Sequence, residues 1–190
     1  RLMIVFVGLG NPGNEYSNTK HNAGYWIVDE LAKRWACDFN PGKENYLFSE
    51  NNTNDAMLMK PTSGMNNSGI ALKHFVKLFK IKLNDLFVCI DDVDLPLGRI
   101  RVRPKGGDGC HRGLESIIYH LGNTNFPRLR LGVASLDYKR PSEHYVLKPF
   151  KKNDQNFSKE MVQIAADAAE SLLYKGINKT MNKYNKMEMV

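Results

Sequence analysis

Cysteine is scarce in this chain of 190 residues: only Cys37, Cys89 and Cys110 occur, far apart and odd in number. Without a C-x-x-C pair, a disulfide framework and a cysteine zinc site are both disfavoured, and reduced thiols are expected. The five histidines show no H-x-x-x-H or His/Cys grouping either, so no metal and no other cofactor is assigned. No apolar run approaches the roughly 18 residues of a membrane span, and no secretory pattern opens the chain. The expectation is a cytoplasmic protein with no membrane partner. Acidic side chains are also few: 20 Asp and Glu stand against 27 Lys and Arg, for a net charge of +7.

What is present suffices for a core. Hydrophobic residues at 42% and charged residues at 25% place the chain among globular proteins rather than disordered ones. Residues 3–190 are read as one domain; Met3 opens the first apolar run, and Arg1 and Leu2 are set aside as a remnant. Period-two and continuous apolar runs predict strands over 3–7, 46–50, 57–60, 86–91, 100–102 and 129–134. Period-four patterns predict helices over 22–35, 66–79, 114–121 and 157–173. In the second of these, Ala71, Phe75, Leu78 and Phe79 share one side. The polar tail from Gly176 is left unassigned. Such alternation implies an α/β fold, a twisted, mostly parallel mixed sheet with helices on both faces. A polar loop over 137–142 is either a mobile lid or a plain connection.

The positive charge is concentrated. Between Arg99 and Lys152 there are 12 Lys or Arg against 4 Asp or Glu, so this region carries the whole excess. Arg99, Arg101, Arg103 and Lys105 alternate with Ile100 and Val102, which on a strand sets the cations on one face. A row of that kind can follow a phosphate backbone, and nucleic acid is the preferred partner. A surface kept charged for solubility is the bland alternative.

Gly8-Leu9-Gly10-Asn11-Pro12-Gly13 matches the dinucleotide pattern G-x-G-x-x-G after a strand. Its mechanical requirements fail. Pro12-Gly13 makes a turn, and polar residues delay the helix whose amides would face a pyrophosphate. Asp29 and Glu30 fall inside the first predicted helix instead of ending a second strand. The elbow leaves Asn11 at a strand tip, where an amide with donor and acceptor could hold a peptide group.

His21 stands beside Asn22 at the end of the stretch FVGLGNPGNEYSNTKHN (residues 6–22), where loop meets predicted helix, a place suited to a proton acceptor. Further along stand KPTSGMNNSG (60–69), DDVDLPLG (91–98), KGGDGCHRGL (105–114) and FPRLRLGV (126–133). Together, in this order and spacing, the segments make the chain similar to bacterial-type peptidyl-tRNA hydrolases over nearly its whole length.

That resemblance implies hydrolysis of the ester between a peptide and the 3′ end of tRNA, by a monomer that binds the tRNA acceptor end. No G-x-S-x-G elbow supplies a serine, so direct attack by water is the simpler route. An imidazole, with its ordinary pKa near ~6.5, suits His21 to general-base work. The resemblance implies that Asp91 orients His21, and that Asn11 distinguishes a blocked peptidyl amine from a free one. It also implies that Asn66, in the segment with Gly64 and Met65, binds the peptide backbone. Asn66 is equally a favoured helix cap. Tyr16 would line the tRNA side of the cleft, or simply pack. Arg103, Lys105 and Arg130 are the candidates for phosphate contacts. Asp92 and Asp94 are read as surface pairs or caps. His111 ranks second among the histidines, as loop support or as a structural residue.

The chain departs from the family pattern in a few places. Arg112 stands where asparagine is usual, and it can donate but not accept; a ribose or phosphate contact is then favoured over positioning water. Gly64 replaces an aromatic residue, Cys110 a glycine and Lys20 an arginine, while Asp108 adds a charge beside the loop. A non-catalytic RNA-binding protein on the same scaffold is the alternative reading.

Overall fold

Strand β1 (Ile4–Gly8) sends Val5 and Val7 to one side and Phe6 to the other, and all three are fully buried. This alternation organises the molecule. The computed structural model describes residues 3–189; Arg1, Leu2 and Val190 lie outside the described residues. Six more strands join β1: β2 (Asn40–Pro41), β3 (Tyr46–Asn51), β4 (Ala56–Pro61), β5 (Leu86–Pro96), β6 (Ile100–Arg103) and β7 (Arg128–Ala134). Their order across the sheet is β2-β3-β4-β1-β5-β7-β6. β1 pairs parallel with β4 and β5, and β5 with β7, while β2–β3, β3–β4 and β6–β7 are antiparallel. β1, β2, β4, β5 and β7 run one way and only β3 and β6 the other, so the sheet is mixed and mostly parallel in strand direction.

Helices cover both faces. Against the Phe6 face lie α1 (Ala23–Arg34), α5 (Gln155–Lys175) and α6 (Ile177–Tyr184), with Ile27, Leu31, Met161, Ala165, Ala169 and Tyr184 packed on Phe87 and Cys89. The small side chains of α5, spaced by helical period, let it approach closely. Against the Val5 face lie α2 (Ser68–Phe79) and α3 (Arg112–Leu121), where Leu72, Phe75, Leu114 and Ile117 meet Val88 and Ile90. Each such burial contributes about 1.5–3 kcal/mol relative to exposure.

One close approach sets the site. A Cβ on Gly24 would stand 2.3 Å from the Cys89 carbonyl oxygen and 2.4 Å from the Leu9 nitrogen, so only glycine lets α1 start directly on the end of β1 and the middle of β5. The residues just before α1 are thereby held over β5.

The sequence expectations hold for the main elements and miss others. Leu78 is 41% exposed and lies off the buried side of α2, where Leu72 sits instead. The unassigned tail forms α6, whose Thr180 and Tyr184 are buried. Just beyond it, the Asn185 amide pairs with both the N–H and C=O of Val102, covering the free edge of β6. Past the 137–142 loop lies a short helix, α4 (Ser142–Val146). The helix after the glycine elbow begins only at Ala23, as the failed dinucleotide pattern requires.

Candidate active site

β1 ends at Gly8, opposite Cys89, while β5 runs on, so Asp91 stands beyond its neighbour's end at the rim of a cleft of about 1150 Å³. His21 lies in a 3-10 turn (Lys20–Asn22) that enters α1. Its Nδ1 is 2.9 Å from Asp91 Oδ1 and 3.0 Å from Oδ2. A carboxylate only accepts, so Nδ1–H donates and the lone pair sits on Nε2. The ring is 8% exposed yet borders the cleft. Burial opposes its charged form, but the charge and hydrogen bond of Asp91 outweigh burial and raise its pKa. Asp91 is buried too; burial pushes it up, and the two imidazoles beside it hold it well below the usual carboxylate range.

The second imidazole belongs to His111. Its Nε2 lies 2.9 Å from Asp91 Oδ1, and its Nδ1 accepts the Leu114 N–H at 3.2 Å, capping α3. The sequence ranked this ring second and left it outside the site. Its placement between a glycine-rich loop and a predicted helix start was the available signal. Among the described residues, His21, Asp91 and His111 also lie near enough to one another to share a metal ion. As arranged, both ring nitrogens that face the carboxylate carry hydrogens, so the set is a hydrogen-bonded triad in which neither imidazole turns a lone pair toward Asp91.

Asn11 is more committed than its sequence context implies. Its Oδ1 accepts the Met65 N–H at 2.8 Å, and Asn22 clasps its backbone through Oδ1 at 2.8 Å and Nδ2 at 3.0 Å. The acceptor half is used inside the protein, so only the Nδ2 donor is left for a ligand. Asn22 was missed, although it follows His21 directly. Asn66 does not cap: α2 begins at Ser68 after Asn67 and has no side-chain cap, and Asn66 is exposed at the cleft. Tyr16 and Met65 border the cleft, as does Gly64 at φ 86, where a Cβ would meet nothing, so backbone conformation rather than space favours glycine. Cys110 holds φ 64 and thus keeps a glycine-like conformation with a side chain attached.

The basic wall comes from β6 and β7. Ile100 and Val102 are buried, and register sets Arg101 opposite Arg130 and Arg103 opposite Arg128. Like charges directly opposite are unfavourable in a sheet, so this arrangement carries an electrostatic cost. Arg128 is 2% exposed and donates to the carbonyls of Phe126, Gly107 and Thr124, pinning the glycine-rich loop. Burial, helped by Arg130, lowers its pKa to about 10. Arg130 Nε lies 2.7 Å from Asp92 Oδ2, an ion pair by distance without hydrogen-bond alignment. Asp92 is therefore a buried partner, not a surface acid, whereas Asp94 pairs with Arg140 at 2.6 Å on the outside. Among the described residues no ion pair engages Arg103 or Lys105, and both border the cleft.

The cleft gathers Asn11, Tyr16, His21, Gly64, Met65, Asn66, Asp91, Arg103, Lys105, Arg112 and Arg130, whereas Arg99 and Arg101 of the expected cation row do not line it, and Arg99 pairs with Glu188. A family model described as peptidyl-tRNA hydrolase matches residues 5–190. The chain belongs to the peptidyl-tRNA hydrolase family. A peptidyl-tRNA hydrolase of Carboxydothermus hydrogenoformans is 41% identical over 190 residues, covering 97% of this chain and 99% of that protein. One from Elusimicrobium minutum is 40% identical, covering 97% and 100%. The crystal structure of the Acinetobacter baumannii peptidyl-tRNA hydrolase is similar with a TM-score of 0.90 at 31% identity, covering 98% of this chain and 96% of that one.

Within this member of the peptidyl-tRNA hydrolase family, the segment after β7 forms the wall facing the loop. Lys20 anchors it. That lysine is 5% exposed, and its Nζ donates to Tyr145, Lys148 and Pro149 carbonyls at 3.3, 3.2 and 2.9 Å. The ammonium also stands 4.0 Å from the Tyr145 ring centroid. Burial lowers its pKa to about 8. The residue before His21 is therefore a buried strut. Arg112 reaches toward the same wall, with Nη2 3.6 Å from Glu143. No helix among the described residues is long and apolar enough to cross a membrane.

Proposed function

We propose that the chain hydrolyses the ester between peptide and tRNA, with His21 as the general base. The observation that carries this is the 2.9 Å bond from His21 Nδ1 to Asp91 at the edge of a basic cleft. With Nδ1–H held by the carboxylate, Nε2 takes a proton from water as the oxygen attacks the acyl carbon. The tetrahedral intermediate then collapses, the ester C–O bond breaks, and the ribose oxygen leaves with the proton that His21 returns. Asp91 favours the charged imidazolium formed midway.

The free Nδ2 donor of Asn11 serves the substrate carbonyl or the developing oxyanion. Asn66, beside Gly64 and Met65, takes the peptide backbone, and Tyr16 borders the nucleotide side. Arg103 and Lys105 meet phosphates of the acceptor end, and Arg130 does so while sharing its charge with Asp92. One domain over residues 3–190, acting as a monomer in the cytosol without a cofactor, completes the reading; unpaired cysteines and a substrate made by translation support it.

Wild type and His21→Ala, incubated with N-acetyl-aminoacyl-tRNA and with unblocked aminoacyl-tRNA, provide the test. Release from the blocked species only, lost in His21→Ala, is expected. Binding without release would make this an RNA-binding protein without catalysis.

A further inference from the structure

Arg112 is the first residue of α3, next to the ring that bonds Asp91, and its guanidinium is 60% exposed at the cleft. Two carboxylates attend it. Glu115 on the same helix lies 3.4 Å from Nη1, and Glu143, on α4, lies 3.6 Å from Nη2. Both pairs are long, and both acids are more than half exposed. Neither is the parallel two-bond contact that makes an arginine–oxyanion pair strong.

We propose that Glu143 is an exchangeable counter-ion, which occupies Arg112 until a phosphate of the tRNA acceptor strand replaces it. This rests on the hydrolase reading above. Exposed ion pairs between side chains contribute little and are screened by salt. A phosphodiester offers two oxygens on one centre and suits the planar fork of a guanidinium, so the exchange favours the substrate. The Glu143 side chain can leave without unseating its segment, because Lys20 holds the backbone independently, through the Tyr145 carbonyl within α4 and the Lys148 and Pro149 carbonyls after it. Among the described residues Arg103 and Lys105 carry no such cover, so the cleft combines open cations with others already paired to carboxylates, Arg112 through the exposed Glu143. Glu143 is then a specificity determinant: weakly charged ligands do not displace it, and a polyanionic strand does.

The exchange has a signature in salt. When phosphate displaces Glu143, one anion sheds counter-ions while the freed carboxylate gains one, so the Arg112 contact adds little to the salt dependence. Without Glu143, the same contact adds the full single-strand contribution, about 0.7 in the slope of log affinity against log salt.

The test compares wild type, Glu143→Gln, Arg112→Gln and the double variant on N-acetyl-aminoacyl-tRNA. A second substrate is the phosphate-free ester of N-acetyl-amino acid and adenosine. Kd for an uncharged acceptor-stem RNA is measured in parallel. Glu143→Gln is expected to lower KM and Kd for the RNAs by up to about fivefold, the ceiling set by an exposed pair. It should also steepen the salt slope by about 0.7. In the Arg112→Gln background it should change neither, and it should leave hydrolysis of the phosphate-free ester unaltered. An unchanged or raised Kd in Glu143→Gln, an effect of equal size without Arg112, or an equal effect on the phosphate-free ester would overturn the proposal. Because Kd is read without turnover, a wild type that binds RNA but cleaves neither ester would defeat the hydrolase reading alone.

Discussion

Asp91 receives the Nε2 hydrogen of His111 at 2.9 Å, and the other nitrogen of that ring is occupied by the Leu114 amide at 3.2 Å. The donor role of Nε2 is thereby fixed. One carboxylate oxygen serves two imidazoles, and what His111 gives to Asp91 reduces what Asp91 can do for His21. In His111→Ala, the charge of Asp91 acts on His21 alone. The raised His21 pKa should rise further, carrying the acidic limb of the pH–rate profile to higher pH. The variant also loses a cap, costing about 1 kcal/mol, and a hydrogen bond to a charged group, about 1.5–3 kcal/mol, both measurable by denaturant unfolding. The same destabilisation with an unmoved limb would reduce His111 to a helix cap.

Asn11 divides its amide between protein and ligand, and Asn11→Asp separates the two halves. The aspartate keeps an oxygen for the Met65 N–H and lacks the donor that faces the cleft. Turnover should fall by up to roughly 10²–10³-fold if that donor serves the oxyanion. Asn11→Ala should fall as far and lose stability as well. Near-normal turnover in Asn11→Asp would exclude the donor role.

Arg103 and Arg130 differ in what they already hold. Arg103→Ala removes a cation with no acidic partner among the described residues, so KM should rise and its salt slope should flatten by about 0.7–0.9, with kcat little changed. Arg130→Ala strands Asp92, whose carboxyl is already pushed up by burial. It should therefore lose thermal stability in addition to affinity. A fall confined to kcat in Arg103→Ala, with salt sensitivity intact, would count against the phosphate contact.

Cys110 sits at φ 64, a left-handed conformation that costs a side chain about 1–2 kcal/mol. Glycine meets no such strain but loses more entropy on folding. Cys110→Gly should thus be neutral or stabilising by up to about 1 kcal/mol in urea unfolding. Marked destabilisation would mean that the thiol makes contacts worth more than the strain.

Much of this site was legible in the sequence because its residues lie in the segments that carry the family resemblance, and His21 also marks a loop–helix junction. Asp91 was expected where a strand ends, whereas β5 continues to Pro96 and it is the neighbouring β1 that stops short. His111 was undervalued because a histidine at a helix start reads as a cap, and it is one; its second bond, to Asp91, depends on two elements meeting in space. Asn66 was weighed as a cap because the helix was expected at 66, whereas a 3-10 turn delays α2 to Ser68. Lys20 looked like a minor substitution, since its burial comes from a segment more than a hundred residues away. The tail formed α6 through contacts with β6 and α5 that no local period reveals.

The most direct measurement is the pH dependence of single-turnover hydrolysis of N-acetyl-aminoacyl-tRNA by wild type and Asp91→Asn. Neutral His21 is the working base, so the wild-type rate should climb through a pKa raised above the ordinary histidine value. Removing the carboxylate charge leaves burial as the main influence, which lowers that pKa. The limb of Asp91→Asn should then move to lower pH, and its plateau should fall by roughly 10²–10⁴-fold as the proton-accepting tautomer loses its hold. A limb at the same pH in both proteins would contradict the assignment of His21, held by Asp91, as the base.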